Sequence, residues 1–283
     1  MVHGSLGTRG GQVRPCASPS QVQVRVEVLD ISALYRKSMD FIFARKNEKS
    51  HFINVKTEIG FDHYAEKRHA SFPWYLAMPA NSIVNTFYIL IGVYWLFKSR
   101  QLQHNLTTMK LFSDIFSWMS IVYGFVQWSR IATQTHLTAV LDQWFTFPIF
   151  AWAAIWAMTI LDGFSLQKTI LFILLAFLSY FLIFVTSYGF EIALGYHIIL
   201  AVYYAFQLQY KHGNKLSRIN LLLAVLACCG FVVLKLLDHQ IATYKIFQRF
   251  TGHFWSKICD VAQIHYSFAF FYAIYLNKQK KPQ

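Results

Sequence analysis

The stretch Gly252-His253-Phe254-Trp255-Ser256-Lys257-Ile258-Cys259-Asp260 opens the last long apolar segment of the chain and puts three ionisable residues inside it. At 3.6 residues per turn, His253, Lys257 and Asp260 stand at i, i+4 and i+7, on one face of one helix. A charge near the centre of a bilayer costs roughly 2.5–3.5 kcal/mol even on insertion scales, so that face is expected to turn into a protein interior and find partners there. The nearest partners in sequence are Lys235, Asp238 and His239, which end the preceding apolar segment, and Asp142, early in the third.

The rest of the composition agrees with a membrane setting. Of 283 residues 55% are hydrophobic and only 14% charged, which places the chain among membrane proteins. The formal charge of +13 sits in the N-terminal tail and in the joints between apolar runs. No zinc finger, arginine-rich helix or RNA-binding signature accompanies it, so it is read as topology information and no nucleic-acid partner is expected. Cys16, Cys228, Cys229 and Cys259 form no CxxC pair and no disulfide framework.

Residues 1–70 read as a polar, basic tail without an apolar signal segment and largely without a fold. Within it, 22–28 alternates like a strand, and 31–43 is weakly amphipathic. From Trp74 onward, apolar stretches at about 75–97, 111–129, 137–161, 168–188, 191–208, 219–238 and 253–276 alternate with short joints. Most approach the roughly 20 residues that cross a bilayer. The expected fold is all-α: a polytopic membrane helical bundle over 71–278 with about seven transmembrane helices, followed by a short basic tail at 279–283. The tight hinge Ser187-Tyr188-Gly189-Phe190 leaves a six-span reading open. Pro148 lies inside the third stretch, and Trp74, Trp95, Trp118, Trp128 and Trp255 fall near span ends, as in an aromatic belt.

Lys98, Arg100, Lys110, Lys168, Lys211, Lys215, Arg218, Lys278, Lys280 and Lys281 gather on one side of the alternating joints, and only Arg130, Lys245 and Arg249 on the other, with Lys67 and Arg68 before the first span. The positive-inside rule then places the C-terminus in the cytosol. Asn105-Leu106-Thr107 is a glycosylation sequon on the cytosolic side, and the terminal Lys280-Lys281-Pro282-Gln283 looks like a dilysine retrieval signal of endoplasmic reticulum or Golgi membranes. With that orientation, Asn81, Asn85, Gln127, Arg130, Asp142, Gln143, Glu191, Lys235, Asp238, His239, His253, Lys257 and Asp260 all fall toward the non-cytosolic end. The expectation is a polar pocket there, with Asp142, Lys235, Asp238, His239, His253, Lys257 and Asp260 as binding residues and membrane lipids as partners. Structural readings stand beside it: an Arg130–Asp142 or Asp238–Lys257 bridge, and helix capping by Asp238. His197, on an apolar stretch, reads as a core histidine.

No catalytic residue is assigned. The chain lacks HxxxH, HExxH, GxSxG, Walker and GxGxxG patterns. No cofactor is expected on this reading. The alternatives are a metal-dependent lipid hydrolase, with zinc held by a set including His239 and His253, and a transporter or receptor.

Several motifs resemble the transmembrane protein 187 family. They include His63-Tyr64-Ala65-Glu66, Leu76-Ala77-Met78-Pro79, Val126-Gln127-Trp128, Leu141-Asp142-Gln143-Trp144, Gly189-Phe190-Glu191 and Gly230 through Lys235, with Asp238-His239-Gln240 and Thr251 through Asp260. The resemblance covers roughly residues 60–276 and implies a multi-pass membrane protein without an assigned activity. More distantly, the pattern is similar to the superfamily of alkaline ceramidases and adiponectin-type receptors, whose zinc is held by a histidine ending span two and an HxxxH pair opening span seven. Asp142 and His253 match that superfamily's Asp and first His. Lys257 stands where the second His would be, and 127–131 contains no histidine.

Overall fold

The structure is a computed structural model that describes residues 60–102 and 107–280. The expected strand at 22–28, the amphipathic stretch at 31–43, Cys16, Asn105 of the sequon and residues 281–283 lie outside the described residues. The α-helices among the described residues are α1 (Pro79–Ile83), α2 (Thr86–Arg100), α3 (Thr107–Thr133), α4 (His136–Asp162), α5 (Leu166–Ser179), α6 (Gly189–His212), α7 (Lys215–Leu236), α8 (Asp238–Ile241) and α9 (Gly252–Lys280). Short 3-10 turns fill several joints, and no strand occurs among the described residues.

The seven expected stretches are each helical. Five segments are long and apolar enough to cross a membrane: Pro79–Arg100, His136–Asp162, Leu166–Phe184, Gly189–His212 and Lys215–Leu236. The remaining two, α3 with 27 residues and α9 with 29, have the length but carry more polar side chains. The joint between α5 and α6 is a true break. Tyr180–Phe184 tightens into a 3-10 turn, and a Cβ on Gly189 would lie 2.2 Å from the Leu182 carbonyl oxygen, so only glycine fits where the chain reverses.

Local chemistry sets the other boundaries. The Thr135 hydroxyl caps α4, Ser165 caps α5, and Asn214 with Ser217 forms a reciprocal capping box at the start of α7. α4 runs on through Pro148 and ends at Gly163, whose φ of 92° no L side chain favours. α7 packs along α9, α2 along α3 and α4 along α6, while α3–α4 and α2–α9 contacts join these pairs. α2 and α3 approach closely because a Cβ at Gly92 would fall 2.7 Å from the Ser117 carbonyl oxygen.

The core divides along its length. Toward the C-terminal ends of α2, α4 and α9 it is aromatic: Trp156 stacks on Phe271 at 4.2 Å, Trp95 on Phe268 at 4.9 Å, and Phe112 on Trp152 at 4.9 Å. Trp95 was expected in the interfacial belt, yet it is buried there and its indole N–H donates to His265 Nδ1 at 3.3 Å. Its partners lie on α9, which position along α2 does not reveal. Trp74, Trp118, Trp128 and Trp255 are exposed. Polar residues fill the other end of the bundle.

Candidate functional site

The site begins at the α3–α4 hairpin. Gln127 and Arg130 stand at i and i+3 near the end of α3, so they share a face. The tight turn through Gln134, with a φ of 51°, returns the chain so that Asp142 on α4 meets that face. Arg130 Nη1 donates to Asp142 Oδ2, and Gln127 Nε2 donates to Oδ1 of the same carboxylate. Both members of this ion pair are buried, so each depends on the other for solvation.

From there the network crosses to α9. Lys257 Nζ donates to Gln127 Oε1 and, at 3.0 Å, to Asn85 Oδ1 at the head of α2. Gln127 is therefore a neutral bridge, with its N–H on an anion and its C=O on a cation. Asn85 Nδ2 donates to the Asn81 carbonyl at 3.0 Å. One turn further along α9, Asp260 accepts a 2.7 Å hydrogen bond from Tyr88, whose ring meets Tyr123 edge-on. Tyr123 Oη pairs with Thr146 Oγ1 at 3.3 Å, and Thr146 donates to the Asp142 carbonyl. Carboxylate, guanidinium, ammonium and two amides thus form one hydrogen-bonded chain through α2, α3, α4 and α9, which is how ionisable groups become tolerable in a membrane interior.

At the outer edge, two carboxylates hold helix N-termini. Asp238 Oδ1 accepts from the His253 N–H at 2.7 Å and Oδ2 from the Ala65 N–H at 3.0 Å. Glu66 accepts from the Ala80 and Asn81 N–H groups of α1 at 2.9 and 2.8 Å. Negative charge is favoured at both places by the helix dipole. Burial nevertheless pushes the Glu66 carboxyl above its ordinary 4.5, against the lowering effect of those two N–H donors. The Tyr64 ring packs edge-on against His253 at 4.8 Å, so His63-Tyr64-Ala65-Glu66 laces across the end of the bundle. Composition assigned this segment to the tail, but Tyr64 and Glu66 are buried in the bundle. The two backbone clasps draw it in, and no hydropathy pattern encodes them.

The predicted site residues separate into two groups. Asp142, Asp238, His253, Lys257 and Asp260 are buried at the same end. Lys235 is half-buried, with its ammonium 5.8 Å from the Phe231 ring centre, and His239 is exposed with Nε2 3.1 Å from the His63 carbonyl. The Arg130–Asp142 bridge forms. The Asp238–Lys257 bridge does not, because Asp238 is taken up by backbone N–H groups and Lys257 by amide oxygens. Glu191, also read as part of the polar end, is exposed at the start of α6. His197 is a core histidine, buried beside Phe147 with Nε2 2.9 Å from Ser179 Oγ. The opposite end is not devoid of polar contacts either: Ser99 Oγ donates to Asp114 there.

Sequence reasoning left Asn85, Gln127, Arg130, Tyr88, Tyr123, Tyr64 and Glu66 out of the binding set. The i, i+3 and i, i+4 spacings of Gln127 with Arg130 and Asn81 with Asn85 carried a usable signal. The tyrosines carried none, since aromatic residues abound in the chain.

Two features bear on what the site can bind. Lys257 has three ammonium protons and two acceptors among the described residues, with no carboxylate at ion-pair distance. Asn81 is fully buried with neither side-chain Oδ1 nor Nδ2 hydrogen-bonded, and Ser82 Oγ and Thr251 Oγ1 are buried and unpartnered as well. Among the described residues no group of three His, Cys, Asp or Glu converges as metal ligands would.

A model of the TMEM187 protein family matches residues 34–272. Transmembrane protein 187 of Bos taurus is 46% identical over 222 residues, which cover 77% of this chain and 87% of the relative. The Homo sapiens protein of that name is 43% identical over 219 residues, 77% of this chain and 83% of the relative. No solved structure matches.

Proposed function

The chain belongs to the transmembrane protein 187 family, and from that premise we propose that the polar end of this multi-pass membrane protein binds the headgroup of a lipid or small amphiphile. The observation that supports the reading is the set of unpartnered buried groups at the starts of α1 and α9: the Asn81 amide, Ser82 Oγ and Thr251 Oγ1. Buried polar atoms that find no partner in their own chain are the exception in proteins and mark places where something else supplies the hydrogen bonds. A carbonyl, carboxylate or phosphate takes the third proton of Lys257, and the Asn81 amide offers a donor and an acceptor to its neighbours. Asp142 is held by Arg130 and Gln127, so its role is to fix Gln127, which in turn aims the ammonium.

The metal-dependent hydrolase is the weaker reading on donor chemistry. The place beside Asp142 is filled by the cation Arg130 and by Gln127, which carries Lys257 on its other side, and a protonated lysine does not ligate metal. For placement in the cell, we propose endoplasmic reticulum or Golgi membranes with the C-terminus in the cytosol. The distribution of Lys and Arg among the joints supports the orientation.

The test is native mass spectrometry of the detergent-purified protein, with lipid extraction, for wild type, Lys257→Met and Asn81→Leu. A defined amphiphile retained by wild type and lost by both variants is the expected result. An identical lipid profile in all three overturns headgroup binding and leaves the network a structural role. Metal content of the same preparations, with His253→Ala, decides the hydrolase reading: about one zinc per chain, lost in the variant, establishes it. Protease protection of a C-terminal epitope in sealed microsomes reads the orientation, and accessibility from the cytosolic face is expected.

A further inference from the structure

A cleft lies beyond the polar network, between α4, α6, α7 and α9, with about 60 Å³ open to water-sized groups inside a larger space of about 520 Å³ that runs out into its surroundings. Its polar wall is α9, where Gln263 follows Asp260 by three residues and Ser267 lies one turn further on. The other walls are apolar. α6 and α7 touch only slightly, and Ile199 and Leu226 near the cleft are exposed on its outer side, so the opening faces the bilayer. Gln263 lies about 16 Å along α9 at 1.5 Å per residue, well inside the hydrocarbon depth.

Gln263 is buried, and its side-chain Oε1 has no hydrogen-bond partner. An amide oxygen without a donor at this depth costs several kcal/mol in hydrocarbon, because water is absent there to satisfy it. The cleft therefore holds an unpaired amide acceptor, with the Ser267 hydroxyl one turn away, among otherwise apolar walls. On α9 it runs from Gln263 to Phe271, about 12 Å at helical rise, close to the length of a fused four-ring nucleus and much shorter than a full acyl chain. Ala153, Ala201 and Ala224 make its sides smooth, and the Phe150 and Phe271 rings add flat surfaces. A rigid, flat body with a single hydroxyl lies along such a cleft with little loss of conformational freedom.

We propose that this cleft is a sterol-binding site, entered from the bilayer between α6 and α7, in which the sterol hydroxyl donates to Gln263 Oε1 and the ring system lies along the alanine-lined walls. The site is separate from the headgroup site at Lys257 and does not depend on it.

Photolabelling tests the assignment. The full-length protein in nanodiscs is irradiated with a clickable sterol carrying a diazirine in the ring system, alone or with competitors. The sterol is expected to compete, while its methyl ether, which has lost the donor, competes about tenfold less well, as the loss of one buried hydrogen bond implies. Gln263→Leu keeps the side-chain bulk and removes the acceptor, and labelling should fall by a similar factor. Ala201→Phe fills the cleft and should abolish labelling, and Leu174→Ala on the outer face of α5 should leave it unchanged. Size-exclusion profiles confirm that each variant is folded, and the competitor series on wild type stands even if a variant is not. Equal competition by sterol and methyl ether, or undiminished labelling of Gln263→Leu, overturns the proposal. Stronger competition by a long-chain alcohol or ceramide also overturns it, by naming a different occupant.

Discussion

α5 and α9 are opposites. The segment Leu166–Phe184 is almost purely apolar, and only 11% of its span is buried in the protein. α9 carries His253, Ser256, Lys257, Asp260 and Gln263, all buried. In water the apolar helix would be central and the charged one peripheral. A bilayer inverts the order, because lipid solvates Leu174 or Leu178 as well as any protein core does, while Lys257 and Asp260 have nowhere else to go. Apolarity here forecasts exposure, and polarity forecasts the middle of the bundle. The pivotal contacts of this molecule are therefore hydrogen bonds among α2, α3, α4 and α9 more than greasy packing.

That contrast is sharpest at Asp142. Asp142→Ala removes the carboxylate and leaves Arg130 buried without its partner, which is expected to cost about 3–5 kcal/mol in a reversible unfolding titration. If the loss were no larger than that of a surface substitution, the ion pair would not be what holds α3 to α4. Phe268→Ala probes the aromatic end, where the ring sits between Trp95 and Phe116. Soluble cores lose about 3–5 kcal/mol for such a change, but lipid also solvates the unfolded reference, so about 2 kcal/mol is expected by the same titration. Asp238→Ala removes the acceptor for the His253 and Ala65 N–H groups and should cost about 1–2 kcal/mol. It should also speed proteolysis near residue 65.

A smaller effect separates burial from charge at Glu66. Its raised pKa means that the folded protein binds the proton more tightly than the unfolded chain, so stability should fall as pH rises from the ordinary 4.5 through the raised value. Glu66→Gln should flatten that slope in thermal melts across the window, and an unchanged slope would assign it to another group. The smallest effect is expected at Leu174, half exposed on α5, where truncation to alanine should stay within about 0.5 kcal/mol in the unfolding titration. A large loss there would mean that α5 is covered by another protein surface and not by lipid.

Hydropathy along the chain dictates a bundle of apolar helices, and the cost of charge in lipid turns His253, Lys257, Asp260 and Asp142 inward near one end. Helical period and the cost of charge in lipid are both properties of a single segment, so both can be read along one dimension. Even the Arg130–Asp142 pair was legible, because a short hairpin joins its two helices. It took the packing of the helices to rest Lys257 on Asn85 and Gln127, to let Asp238 cap α9 and tie down Ala65, to bring Trp95 into the core and to leave His239 outside. Those pairings join positions up to 173 residues apart. They follow from which helix lies beside which, and each helix presents a lipid-compatible face to several possible neighbours, so hydropathy cannot choose among them.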